Sequence, residues 1–261
     1  GKPANNQSGY VNFPDPKLRL TLMEILRKKS GGITVFDMKN LKALDLDGKQ
    51  ISDLRGLEHA TNLISLKLNQ NTVSDLSPLA GLTKLQTLES QDNQIVDVAS
   101  LKGLVALHRL FLSSNNIESI ESLSRLSGLV HLKIERNRIV DLGPLQDATK
   151  LSLLYASDNK IFDLSPLSGL LELQHISANR NSISDIASLS NLRKLNQLFL
   201  NENKISSLFP LKGIRSITWL GINQNEIEDL EPLAGMSKMQ HLDFNRNQVA
   251  DLRPLKGMKE L

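Results

Sequence analysis

The chain has 261 residues, of which 40% are hydrophobic and 23% are charged, values that are ordinary for a globular protein. Its 31 Lys and Arg and 28 Asp and Glu leave a net charge of +3, and the two signs are interleaved, which argues against binding to nucleic acid. No apolar stretch approaches the roughly 18 residues of a membrane-spanning segment. Because the sequence contains no cysteine, disulfide frameworks and cysteine-based sites are excluded.

Two segments precede any repeating pattern. Residues 1–12 are polar and predict a flexible leader, and residues 13–40 predict a helical N-terminal cap. In FPDPKLRLTLMEILRKKSGG, Asp15 is suited to the N-cap and Pro16 to the first helical position, and the Ser-Gly-Gly at 30–32 ends the helix. The predicted buried face of this helix consists of Leu18, Leu22, Ile25 and Leu26.

A second short helix is predicted next. Thr34 and Asp37 have the spacing of a capping box and open a helix that leads into Leu41. Together the two helices would cover the apolar end of the repeat array that begins there.

From Leu41 onward the chain aligns in rows of 22 residues without an insertion. An apolar column recurs at Leu41, Leu63, Leu85, Leu107, Leu129, Leu151, Leu173, Leu195, Ile217, Met239 and Leu261. Eight residues later in each row comes Lys49, and then Asn71, Asn93, Asn115, Asn137, Asn159, Asn181, Asn203, Asn225 and Asn247. The rows repeat L-x-x-L-x-L-x-x-N-x-I ten times and begin an eleventh, which is the leucine-rich repeat signature. Since the chain stops as a repeat begins, we expect the natural protein to continue.

This signature predicts an α/β solenoid over residues 41–261: a right-handed leucine-rich repeat array with a parallel concave sheet and short helical or irregular convex segments. The L-x-L alternation makes a short strand with its leucines inside. The buried asparagines are expected to bond backbone groups of neighbouring repeats and so form a ladder. Four carboxylates that precede a proline by two or three residues are interpreted as caps of the convex turns, namely Asp75, Asp141, Asp163 and Asp229.

The chain resembles the internalin-type bacterial proteins. The resemblance covers roughly residues 13–261 and is carried by the Phe-Pro-Asp start, the Leu/Ile-rich helix, the Thr34 segment, GLEHATNL at 56–63 and units such as VSDLSPLAGLTKL at 73–85. It implies a secreted or surface-attached bacterial protein that grips a partner, often a host receptor, on the concave face of its array. In such proteins an immunoglobulin-like domain commonly follows the repeats. Similar 22-residue repeats occur in the intracellular phosphatase-regulator type of leucine-rich protein.

Two columns flanking the second strand leucine are expected to face the concave side, and they are variable where the core columns are uniform. One reads Ala43, Ser65, Thr87, Arg109, His131, Leu153, His175, Gln197, Trp219 and His241. The other reads Asp45, Lys67, Glu89, Phe111, Lys133, Tyr155, Ser177, Phe199, Gly221 and Asp243. Exposed aromatic residues on a rigid sheet are typical of binding hot spots. The predicted partner-binding residues are Arg109, Phe111, His131, Lys133, Leu153, Tyr155, His175, Phe199 and Trp219.

Several of these features can also be explained without a binding site. Single exposed apolar residues are normal on any protein surface, and Phe162 and Phe209 lie outside the two columns and are expected to pack locally. A metal site at His131 and His175 lacks an evident third ligand. The arginines at 136, 180 and 246 alternate with acidic residues, which indicates a mixed-sign rim.

No catalytic or nucleotide-binding motif is present, so we expect a non-enzyme without cofactor or metal. Three function classes are compatible with the sequence. The first class is a secreted or cell-surface bacterial module that binds a protein partner through its concave face. The second is a cytoplasmic scaffold or phosphatase-regulator-type protein, and the third is the recognition domain of an enzyme. Replacing the concave aromatic residues is expected to weaken binding and hardly to alter folding stability.

Overall fold

The computed structural model describes residues 9–261 and contains one ten-stranded parallel sheet whose strands follow each other in chain order. Consecutive strands are hydrogen-bonded, and equivalent residues 22 positions apart lie side by side, as Leu44 does beside Leu66. The fold is the predicted right-handed leucine-rich repeat solenoid, and its sheet is open. The strands are β1 Ala43–Asp45, β2 Ser65–Lys67, β3 Thr87–Glu89, β4 Arg109–Phe111, β5 His131–Lys133, β6 Leu153–Tyr155, β7 His175–Ser177, β8 Gln197–Phe199, β9 Trp219–Gly221 and β10 His241–Asp243.

The core is a continuous column of aliphatic side chains inside the solenoid. Leu66, Leu88 and Leu110, at the centres of successive strands, have no exposed surface. The sites where the inward leucine is replaced by a smaller residue, such as Ser90 and Ala156, are fully buried as well. Burial of apolar surface contributes about 25 cal/mol per Å², and each repeat obtains it only against its neighbours.

The asparagine column forms the ladder that the sequence predicts. Asn159 Nδ2 donates to the carbonyl of Ile134, 2.9 Å away in the preceding repeat, and to that of Ala156 in its own repeat at 3.1 Å. Its Oδ1 accepts from the backbone N–H of Ile139 at 3.0 Å. Each carboxamide therefore bonds the backbone of two repeats. Lys49 takes the place of asparagine in the first repeat, and its backbone N–H donates to Asn71 Oδ1 of the second.

A residue with positive φ precedes each member of the asparagine column. From Gly48 to Arg246 these residues have φ between +50° and +64°, and all except Gly48 carry a side chain. This left-handed residue turns the chain away from the strand and aims the following carboxamide into the solenoid. A non-glycine residue in this conformation costs roughly 1–2 kcal/mol, which the ladder bonds offset.

The convex side carries one 3₁₀ helix per repeat: Leu57–His59, Ser77–Leu79, Ala99–Leu101, Glu121–Arg125, Gly143–Leu145, Ser165–Leu167, Ala187–Leu189, Phe209–Leu211, Glu231–Leu233 and Arg253–Leu255. Asp75 accepts from the backbone N–H of Ser77 at 2.8 Å, and Asp141, Asp163 and Asp229 make the equivalent bond. Each carboxylate lies one residue before the N-cap, so the bond closes an Asx turn that leads into the helix.

Two helices precede the sheet, α1 Pro16–Ile25 and α2 Val35–Lys39. Asp15 and the Thr34–Asp37 capping box cap them as predicted. The predicted end of α1 at residues 30–32 is wrong. The helix ends at Ile25, because Arg27 has φ of +55° and the N–H of Lys28 donates to the carbonyl of Met23, which is a Schellman motif.

The buried face of α1 also differs from the prediction. Leu18 and Leu22 are fully buried and Leu26 packs against the core, but Ile25 is 41% exposed. Of the predicted flexible leader, residues 1–8 lie outside the described residues. Tyr10 forms an antiparallel bridge with Thr34, and the N–H of Val11 donates to the carbonyl of Ile33. The described segment thus pairs with the cap.

Asp15 joins the cap to the first repeat. One carboxylate oxygen accepts from the backbone N–H groups of Lys17 and Leu18, and the other accepts from those of Ser52 and Asp53. Although burial opposes ionisation, these four N–H groups hold the pKa of Asp15 below its ordinary value. The carboxylate stabilises a helix start and an inter-element contact at once.

Within residues 9–261, none of the helices has the length and apolarity needed to cross a membrane.

Candidate functional site

The two variable columns lie on the concave face, as the sequence predicts. In every strand the middle residue points into the core, and its two neighbours lie on the opposite face of the sheet. All nine predicted partner-binding residues lie on this face, in strands β4–β9. The structure thus brings them onto one surface.

Seven rings on this face form a continuous series of contacts, here called the ring ladder: Phe111, His131, Tyr155, His175, Phe199, Trp219 and His241. Neighbouring ring centroids are 4.3–5.5 Å apart. Five of the six contacts run diagonally between neighbouring strands, joining the first residue of one strand to the last residue of the other. Such aromatic pairs contribute about 0.5–1.5 kcal/mol beyond their buried area.

The rings bury part of each other's surface, whereas the sequence predicted exposed side chains. Phe111 is only 5% exposed and His175 only 9%, so that prediction is wrong for both residues. Tyr155, Phe199 and Trp219 are half-buried. Side chains that face away from the solenoid core therefore form a second, thin packed layer on the concave sheet.

Gly221 makes room for the later part of the ring ladder. It lies beside Phe199 in the sheet, and a Cβ atom at this position would be 3.0 Å from Phe199 Cδ1 and 3.0 Å from Asn201 Nδ2. Because Gly221 has no side chain, the Phe199 ring can lie against Trp219, with centroids 5.4 Å apart. The only tryptophan of the chain is thus held by its neighbours on both sides.

Three ring nitrogens in the ring ladder are shielded from solvent and have no hydrogen-bond partner among the described residues: His131 Nε2, His175 Nε2 and Trp219 Nε1. His175 Nδ1 donates to Gln197 Oε1 at 3.0 Å, which leaves its Nε2 as an acceptor. Burial lowers the pKa of His131 to about 4, and the positive charges of Lys133 and Arg109 add to this effect. Burial also lowers the pKa of His175, although its bond to Gln197 opposes the shift. Both imidazoles are neutral at pH 7.

Two cations surround the first ring of the ladder. The Arg109 guanidinium carbon is 5.2 Å from the Phe111 ring centroid, and Lys133 Nζ is 4.6 Å from it. Lys133 Nζ is also 5.2 Å from the centroid of Tyr155. Cation–π contacts of this kind contribute about 0.5–2 kcal/mol, more when they are desolvated.

A row of carboxamides beside the ring ladder escaped the sequence interpretation. Asn179, Asn201, Asn223 and Asn245 recur every 22 residues, two residues after the end of each strand, and here form the outer amide row. Asn179 Oδ1 accepts from the backbone N–H of Asn201, and the same bond recurs from Asn201 to Asn223 and from Asn223 to Asn245, at 2.7–2.8 Å. The run of asparagines in this column was the available signal.

The convex aromatic residues contradict the sequence prediction. Phe162 and Phe209 are 59% and 67% exposed, so they do not pack locally. In the repeat between them the equivalent positions carry Ser184 and Ala187, and Lys212 Nζ is 5.9 Å from the centroid of the Phe209 ring. Phe209 borders a cavity of about 320 Å³ together with Ala187, Ser190, Pro210 and Lys212.

The mixed-sign rim is present at the end of the strands. Arg180 Nη2 donates to Asp158 Oδ2 at 2.8 Å, and its Nη1 is 3.6 Å from Glu202 Oε1. The pKa of Asp158 is lowered by its bond to Arg180 despite some burial. Among residues 9–261 no group of three or more His, Cys, Asp or Glu side chains is arranged to hold a metal ion.

Comparison with known proteins decides the family. The model of the leucine-rich repeat domain of the endo-β-N-acetylglucosaminidase EndoS matches residues 13–137. The crystal structure of the internalin inlF from Listeria monocytogenes is 31% identical, with a TM-score of 0.82 over 95% of this chain and 81% of that chain. This chain belongs to the internalin family.

A second Listeria monocytogenes internalin, inlC2, is also 31% identical, with a TM-score of 0.78 over 81% of this internalin and 94% of that chain. The ectodomain of the plant receptor kinase GASSHO1/SCHENGEN3 from Arabidopsis thaliana, solved in complex with Casparian strip integrity factor 2, shares the fold at 23% identity. Its TM-score is 0.77 over 86% of this internalin and 29% of that chain. No curated protein matches. The chain thus has the fold of a protein-binding module.

Proposed function

We propose that this internalin is a non-catalytic binding module of a secreted or cell-surface bacterial protein. Its concave face binds a protein partner. The observation that carries the proposal is the ring ladder. Its rings lie on the rigid sheet, so they lose little conformational entropy when a partner covers them. Aromatic side chains held in this way are the usual centres of protein interfaces.

The site consists of the nine residues predicted from the sequence, with His241 as an addition at the far end. Arg109 and Lys133 mark one end of the surface, and Trp219 and His241 the other. Family membership supports the bacterial surface over a cytoplasmic scaffold, since the listerial relatives are named internalins. A receptor or other protein on a host or neighbouring cell is the proposed partner.

The match to the EndoS repeat domain favours a second arrangement, in which the array serves as the recognition domain of an enzyme. The full-length gene distinguishes the two arrangements. A leader peptide and a surface anchor would support the first, and a neighbouring catalytic domain would support the second. The concave face is the binding surface in both.

The test identifies a partner by pull-down from surface proteins of candidate host cells and then measures affinities. We expect Tyr155→Ala, Phe199→Ala and Trp219→Ala each to weaken binding about tenfold or more, because truncating a hot spot costs about 2–4 kcal/mol. Phe209→Ala is the matched control, as it removes an exposed ring from the convex side. Normal binding by the three concave variants and a loss in Phe209→Ala would move the site to the convex face.

A further inference from the structure

Two cations on the concave face have no anion beside them. Neither Arg109 nor Lys133 has an ion-pair or hydrogen-bond partner for its charged group among residues 9–261, whereas Arg55, Arg138, Arg180 and Arg253 each contact a carboxylate. In the sheet, Arg109 lies between Thr87 and His131, and Lys133 lies between Phe111 and Tyr155. Like charges that share one side of a sheet repel each other.

The other concave lysine shows the contrast. Lys67 occupies the same column as Lys133 and also forms no ion pair within residues 9–261, but it lies between Asp45 and Glu89 in the sheet, so its cross-strand neighbours are acidic. Two carboxylates lie nearby: Glu89 is beside Phe111 in the sheet, and Glu135 follows Lys133 by two residues in the chain. Glu89 accepts from Asn69 Nδ2 at 3.1 Å, and within residues 9–261 neither carboxylate forms an ion pair. The positive charge around Phe111 is therefore left for an external group.

We infer that Arg109 and Lys133 bind a carboxylate of the protein partner, and that the partner segment is an acidic residue followed by apolar residues along the ring ladder. This inference rests on the proposed concave site and adds the chemistry of its partner. Both cations are held over the same ring, within 5.2 Å of its centroid, so they are positioned before the partner arrives. Binding an anion there removes the repulsion between them.

The surface beyond the cations favours a peptide over a sulfated glycan. A polyanion needs a continuous basic track, but from β6 to β9 the two concave columns carry no Lys or Arg, and the neighbouring rim is mixed in sign. Strands are about 4.8 Å apart, so the three steps from Lys133 to Phe199 span roughly 14 Å. An extended peptide covers that distance in about four residues. The inferred motif is an Asp or Glu with a large apolar residue about four positions away.

The test is a selection of random 12-residue peptides on the full chain, repeated on Arg109→Gln/Lys133→Gln and on Phe199→Ala/Trp219→Ala. We expect acidic residues to be enriched on the parent, lost on the cation variant and retained on the aromatic variant. A selected peptide and its Glu→Gln or Asp→Asn form are then titrated at low and high salt. The acidic form should bind about tenfold more tightly, with the difference shrinking at high salt.

Lys67→Gln is the matched control, since it removes the same charge from the same column and should leave peptide binding unchanged. Thermal melts confirm that all variants are folded. Enrichment of apolar peptides without acidic residues would overturn this inference and leave the proposed function intact, whereas no dependence on any concave residue would overturn both. Displacement of the peptide by heparin oligosaccharides or inorganic phosphate at far lower concentrations than by acetate would assign the cations to a sulfated or phosphorylated ligand instead.

Discussion

The imidazole of His175 stacks on the phenol ring of Tyr155, with centroids 4.3 Å apart and 26° between the planes. The contact is diagonal, since Tyr155 ends β6 and His175 begins β7. Similar diagonal contacts join His131 to Tyr155 and His175 to Phe199. Each inner ring of the ring ladder thus has a neighbour on both sides, and the ladder contributes to stability as well as to the proposed binding surface.

The first prediction tests that contribution. In a double-mutant cycle, Tyr155→Ala and His175→Ala should show a coupling of about 0.5–1.5 kcal/mol in the free energy of unfolding, because each removes the same stacked contact. Denaturant titration of the four proteins measures it. Tyr155→Ala combined with His241→Ala, two rings that do not touch, should be additive within about 0.5 kcal/mol. If both cycles are additive, the rings of Tyr155 and His175 lie side by side without stabilising each other.

The second prediction concerns the asparagine ladder. Asn159→Leu should lower the free energy of unfolding by about 1–3 kcal/mol, since it leaves the carbonyl of Ile134 and the N–H of Ile139 without their side-chain partner. Asn191→Leu is the control, because Asn191 is exposed and its side chain makes no hydrogen bond within the described part of the chain. Thermal and chemical denaturation give both values. Equal stability of the two variants would contradict the ladder.

The sequence predicted those parts of the fold in which every repeat needs the same residue type at the same position. A leucine or isoleucine at the centre of each strand and an asparagine at each turn after the first recur because every repeat meets the same neighbours. The early end of α1 was missed, since Arg27 takes a left-handed conformation that usually signals glycine. That end depends on backbone hydrogen bonds and not on a residue pattern.

The candidate site was predicted as a set of residues but not as a packed layer. Spacing places Phe111 and His131 on one face, but it does not show that the rings turn toward each other and leave Phe111 only 5% exposed. Ring orientation depends on neighbours in three dimensions. The prediction of local packing is wrong for Phe162 and Phe209, which are 59% and 67% exposed, because spacing does not show how far a convex side chain extends into solvent.

The third prediction uses Gly221. Gly221→Ala should push the Phe199 ring away from Trp219 and lower the free energy of unfolding by about 1–3 kcal/mol, as overpacking does elsewhere. The fluorescence of Trp219, the single tryptophan, should change with it. Gly169→Ala is the control, since no atom lies within 4 Å of the position of its new Cβ. An unchanged emission spectrum and melting temperature in Gly221→Ala would show that the glycine is not needed for ring packing.

The fourth prediction is a loss of stability on mild acidification. The pKa of His131 is about 4 in the folded chain, against 6.5 for an unperturbed histidine, and that of His175 is lowered as well. Between pH 6.5 and 4 the unfolded chain therefore binds more protons, and the free energy of unfolding falls as the pH falls through this window. Carboxylates with lowered pKa, such as Asp15 and Asp158, stabilise the folded chain throughout this window. Their stabilising contribution is lost mainly at lower pH, below the ordinary aspartate value of 3.8.

Removing the titrating group should flatten this dependence. Between pH 6.5 and 4, we expect the free energy of unfolding of His131→Gln to fall by about 1–3 kcal/mol less than that of the parent. The shift in the pKa of one partly buried imidazole implies a difference of this size. His108→Gln is the control, because His108 is exposed and lies outside the ring ladder, and it should follow the parent profile. Denaturant titrations at half-unit pH steps give the slopes. Parallel profiles for His131→Gln and the parent would mean that the imidazole of His131 is solvated in the folded chain, and the packed layer around Phe111 would have to be abandoned.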